Sequence, residues 1–194
     1  MGRIKIFVEG KGDIRFLTDY IFRLTTVKPK QETFVNIGGC TYELIEPNRL
    51  LFTEGNLGDI GGTNLIIFDA NGDYAKKKAE ILSWKQKLNI EFELFLFPND
   101  NDYGNLETLL ENISLPEHKI IFDCFDKYQE CIGVNKNYSL PNQKAKNFAY
   151  TEAILSKSKS EEAKENKRNY LDTTLWNLNG DYMEPLKDFL LTYL

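Results

Sequence analysis

"IKIFVEGKGD", residues 4–13, runs four apolar side chains up to Glu9, then a glycine, then Asp13 four positions after the glutamate. A strand that stops on a carboxylate and turns at once into a helix poses a choice: the acid is a helix cap, or it belongs to a metal site. The same shape recurs in "NLIIFDA" (64–70), which ends on Asp69 and is followed four positions later by Asp73. Each apolar run leads into a helical pattern. "GDIRFLTDYIFRLT" (12–25) spaces Ile14, Leu17, Ile21 and Leu24 by threes and fours. "GDYAKKKAEILSWKQKL" reads as a helix with Tyr74, Ala75, Ile81, Leu82 and Leu88 on one face and lysines opposite.

Working outward, "TFVNIGG" (33–39) reads as a strand with a glycine exit, followed by a helical "YELIEPNRLLF" that Pro47 interrupts or restarts. "EFELFLF", closed by Pro98, reads as a fourth strand, and "YGNLETLLENI" as a short helix after it. Residues 117–133 and 144–158 are expected to be helical, 156–168 a polar loop or an extension of that helix, and "MEPLKDFLLTYL" a closing amphipathic helix. Strands alternating with helices predict an α/β fold with a mainly parallel sheet of about four strands. One domain is expected over 1–194, with a core at 1–112 and a helical carboxyl-terminal extension at 113–194 packed on it.

A chain of 194 residues with 42% hydrophobic content can bury one ordinary core. Its net charge of −5 argues against coating nucleic acid by charge alone, which takes many cations facing phosphates. No run approaches the roughly 20 apolar residues of a membrane span, and the amino terminus is not uniformly greasy, so a cytoplasmic protein without membrane attachment is expected. Cys40, Cys124 and Cys131 form no C-x-x-C pair, and His118 is the only histidine, which leaves no zinc set. The thiols are expected to be reduced and at least half buried.

Right-handed crossovers make successive strands point the same way, so their carboxyl ends share the rim where open α/β sheets bind ligands. Glu9, Asp69 and Glu107 are therefore expected to meet there, with Asp13 and Asp73 close by. Clustered hard oxygen ligands without histidine or thiolate suit Mg²⁺ or Mn²⁺. Against this, Asp13, Asp73 and Glu107 all sit at predicted helix starts, where carboxylates are favoured as caps.

"FVEGKGD", "IIFDANGD" and "FLFPNDNDYGNLETLL" together resemble the Toprim domain, in particular its OLD-nuclease-like group of prokaryotic proteins. The resemblance covers roughly residues 3–112 and, more weakly, the carboxyl-terminal "LDTTLWNLNG" to "FLLTYL". It implies a compact sheet with flanking helices and a Mg²⁺ site for phosphodiester chemistry, as in topoisomerases, primases and OLD-type nucleases. It also implies that Glu9 is the acid/base or metal glutamate, Asp69 the first aspartate of Asp-x-Asp, and Glu107 the later glutamate. The second aspartate of that motif falls on Asn71, with Asp73 able to supply the missing charge; restoring the acid by Asn71→Asp is then expected to tighten the metal.

"GKG" at 10–12 lacks the rest of a phosphate loop, and Arg15 stands where G-x-G-x-x-G needs its last glycine. His118 alone supports no serine or cysteine triad and is expected at a helix start. Trp84 and Trp176 are expected in the core. The lysines of 144–168 alternate with glutamates and read as a solvated helix face, with phosphate binding as the lesser alternative. Lys11, between Glu9 and Asp13, is the better candidate for a substrate phosphate. Two functions follow: metal-dependent phosphoryl transfer or hydrolysis on nucleic acid or nucleotide, with Glu9 and Lys11 catalytic, or a degenerate scaffold that binds a partner protein or nucleic acid. A small acidic chain lacking an ATPase domain also fits the separated catalytic partner of an ATPase.

Overall fold

The computed structural model describes residues 4–53 and 62–194. Four parallel strands form one sheet in the order β2-β1-β3-β4: β1 (Ile4–Val8), β2 (Phe34–Asn36), β3 (Thr63–Asp69) and β4 (Glu93–Phe97). Parallel pairing sets Val8 opposite Asn36 on one side and opposite Ile67 on the other. All four carboxyl ends share one rim, as the alternation of elements requires. The first strand is expected from the sequence over "RIKIFVE" (3–9), and its start at Arg3 lies outside the described residues.

Helices cover both faces, because neither face of a parallel sheet built from apolar runs can be left in water. Ile6, Val8, Leu65, Ile67, Phe95 and Phe97 pack against α1 (Lys11–Thr25), α5 (Leu106–Asn112) and α8 (Glu184–Tyr193). The alternate residues Phe7, Ile66, Phe68, Leu94 and Leu96 pack on the other side against α4 (Tyr74–Leu88) and the short α2 (Tyr42–Ile45) and α3 (Arg49–Thr53). Such period-two division between two cores is the signature of strands covered on both faces. β3 buries five successive residues, and its four apolar ones, Leu65 to Phe68, each contribute on the order of 1.5–3 kcal/mol as an upper bound.

The carboxyl-terminal part joins the first core. In α6 (Lys119–Gly133) and α7 (Gln143–Ile154) the rings of Phe122 and Tyr150 stack at 4.6 Å, and the Tyr150 hydroxyl donates to the Leu175 carbonyl at 2.6 Å. Trp84 and Trp176 are both buried, as expected, and His118 stands at the start of α6.

The interruption expected at Pro47 is present, as a 3₁₀ turn, Glu46–Asn48, that divides 42–52. Three expectations are corrected. Ile81, Trp84 and Leu88 form the buried face of α4, whereas Ala75 and Leu82 are exposed, because they lie about 100° round the helix from Tyr74 and Ile81. Residues 157–163 form a 3₁₀ helix, neither loop nor continuation of α7. Cys124 and Cys131 are exposed on α6 and only Cys40 is buried.

Candidate functional site

Adjacent strand ends bring the first two acids together. Glu9 follows β1 directly and Asp69 closes β3, and the Asp69 amide donates to Glu9 Oε1 at 2.8 Å. Asp69 Oδ1 in turn accepts from the Leu106 amide at 3.2 Å, which sets the start of α5 and so places Glu107. Asp13, third residue of α1, reaches back to the Gly10 amide at 2.8 Å. Glu9, Asp13 and Asp69 thus each hold one backbone amide and keep a second oxygen without a hydrogen-bond partner among the described residues. That arrangement fixes the carboxylates without using them up.

Glu9, Asp13, Asp69 and Glu107 line one cleft of about 700 Å³, together with Lys11 and Lys144. Burial, followed by repulsion from Glu9, Asp13 and Glu107, pushes Asp69 up to about 8. Burial pushes Asp13 up to about 7, with the Gly10 amide opposing and Glu9 and Glu107 adding to the rise. Burial also raises Glu9 and Glu107, offset in part by the Asp69 amide for the first and by its own amide and Lys144 for the second. Four acids so placed resist full ionisation unless positive charge arrives.

Asn71 and Asp73 stand apart from the cleft lining. Asn71 is exposed, adopts φ +41°, and donates its amide to the Gly104 carbonyl at 2.8 Å. Asp73 is the cap of α4, its Oδ1 accepting from the Lys76 amide at 3.0 Å. The cap of α5 is Asn105, which leaves Glu107 free of that duty.

The lysine-rich segment is no uniform solvated face. Lys144 Nζ lies 3.1 Å from Glu165 and 3.8 Å from Glu107, so it leans over the cleft. Lys146 is buried between Glu111 and Asp126, 2.8 Å from each. Arg15 holds this return of the chain in place by donating to the carbonyls of Arg168 at 2.7 Å and Asn166 at 2.8 Å. Gly12 admits it, since a Cβ there would overlap the Glu165 carboxylate. Lys144 and Glu165 carry no local motif; charge alternation reads alike on a free helix and on one folded over a cleft.

The metal-binding donors lining the cleft are carboxylate oxygens, which suits a hard cation and no soft one; the nearby Cys40 lies outside the lining, its thiol pushed up to about 12 by burial and by Glu9. Among the described residues, no group of three or more His, Cys, Asp or Glu is set to hold a metal ion as it stands. The acids share a cleft wall and repel one another through it, but their free oxygens do not already converge on one point. No family model matches this chain, and neither does any curated protein or solved structure.

Proposed function

We propose that the cleft is a Toprim-like site for divalent-cation-dependent phosphoryl transfer or phosphodiester hydrolysis on nucleic acid. The observation that carries this reading is the Glu9–Asp69 pair on adjacent parallel strand ends, with Asp69 driven to about 8 by burial and by the acids around it. Protons relieve that repulsion at neutral pH, and a divalent cation would relieve it more completely. The free oxygens of Glu9, Asp69 and Glu107 are the donors that would hold Mg²⁺ or Mn²⁺, with Asp13 beside them. The ion would supply Lewis-acid polarisation of a phosphoryl oxygen and a more acidic attacking water.

The chain's own groups have distinct parts in this reading. Glu9 accepts the proton of the attacking water, since burial raises its basicity above that of an ordinary carboxylate. Lys11 is exposed at the cleft edge, makes no ion pair among the described residues, and orients a substrate phosphate. Lys144 balances Glu107 and Glu165 until substrate arrives.

A second reading, a scaffold that binds nucleic acid or a partner protein without cleavage, is favoured by the lack of a preset three-carboxylate group among the described residues. Calorimetric titration with Mn²⁺, paired with a cleavage screen on plasmid, single-stranded DNA and RNA, separates the two. Binding with cleavage is expected; neither binding nor cleavage leaves the scaffold reading.

A further inference from the structure

α6 is fastened to the domain by one side only. Phe122 is its one buried residue, stacked on Tyr150, and Gln129 on the same side donates to the Pro141 carbonyl at 2.6 Å. At 100° per residue, Ile120, Cys124, Cys131 and Val134 fall together on the opposite side, with Tyr128 at its margin. Ile120 is 60% exposed, Tyr128 52% and Val134 86%. An apolar stripe on a helix's solvent side is unusual without a partner.

The charges beside the stripe say which partner fits. Lys119, Asp123, Lys127 and Glu130 run along it with alternating sign, and none makes an ion pair or side-chain hydrogen bond among the described residues. Read backwards, the order is Glu, Lys, Asp, Lys. A two-fold axis perpendicular to α6, near residue 125, therefore sets Lys119 against Glu130 of the copy and Asp123 against Lys127 of the copy. It also lays Ile120 near Cys131 of the copy. The pattern is complementary to itself only when reversed, and a two-fold axis makes that reversal.

We infer that the solvent side of α6 is the interface of a homodimer in which α6 packs antiparallel against α6 of a second copy. This does not depend on the chemistry of the cleft. Sedimentation equilibrium across the micromolar range should return twice the chain mass of 22.5 kDa; a monomer throughout overturns the inference. Cys124 would lie about 3 Å along the axis from its mate and Cys131 about 18 Å, at 1.5 Å rise per residue, beyond disulfide reach. Under mild oxidation Cys131→Ser should cross-link through Cys124, while Cys124→Ser should stay uncross-linked. Cross-linking of both, or through Cys131 alone, excludes the antiparallel register. Lys127→Asp should weaken the dimer roughly tenfold or more by opposing Asp123 of the copy, and adding Asp123→Lys should restore it. A dimer indifferent to both changes uses another surface and overturns the inference.

Discussion

The backbone amide of Asp69 donates to the carboxylate of Glu9 at 2.8 Å, so the ends of the two central strands are tied by one of the acids they present. The bond holds Glu9 in place while leaving Oε2 open to the cleft. It also keeps the second acid within repulsive reach of the first.

Glu9→Gln retains an acceptor for the Asp69 amide but loses the charge and the proton acceptor. The fold should persist, with metal-free stability equal or slightly higher, and Mn²⁺-dependent cleavage should disappear. Circular dichroism and a cleavage assay on the same preparation check this; a variant as active as the parent removes Glu9 from its role.

Stability of the metal-free protein should fall as pH rises. Asp69 moves from its ordinary 3.8 to about 8, so within that window the folded state holds a proton that the unfolded chain has released. Its stabilising effect is complete below the lower value and lost through the upper, and Asp13, at about 7, acts in the same sense. Melting temperature should drop from about pH 5 to pH 8, and saturating Mn²⁺ should flatten the drop by favouring the ionised acids. A pH profile unmoved by Mn²⁺ speaks for the scaffold reading.

Asp69→Asn preserves the Leu106 amide contact through its remaining oxygen and removes the buried charge. Chemical denaturation at pH 8 without metal should show a gain on the order of 1–3 kcal/mol, with little change at pH 5. Cation binding should weaken at least tenfold.

Asn71→Asp should leave Mn²⁺ affinity within about twofold, because residue 71 is exposed and outside the cleft lining. Read from sequence alone, the same change is expected to tighten the metal. Titration of both proteins decides between the motif's spacing and the cleft's geometry.

Phe16→Ala should cost roughly 3–5 kcal/mol in denaturant unfolding. Phe16 is fully buried and meets Tyr170 edge-on at 5.4 Å and Phe97 at 6.0 Å, joining α1 to the sheet and to the carboxyl-terminal part.

The apolar runs at 4–8, 64–68 and 93–97 and the helical spacing in 12–25 were enough to specify the α/β class and the parallel sheet, since period and chain order are local properties. They also placed Glu9 and Asp69 on one rim, because parallel strands must point the same way. Tertiary structure alone decided which nearby acids share the cleft: Asp13, four residues after Glu9, faces it, while Asp73, at the same spacing from Asp69, turns to cap α4. It alone brought Lys144 and Glu165 over a site made by residues more than 30 positions earlier, through the grip of Arg15 on the 166–168 backbone. Such closure depends on long-range packing and on the missing side chain at Gly12, and neither leaves a periodic trace in the sequence.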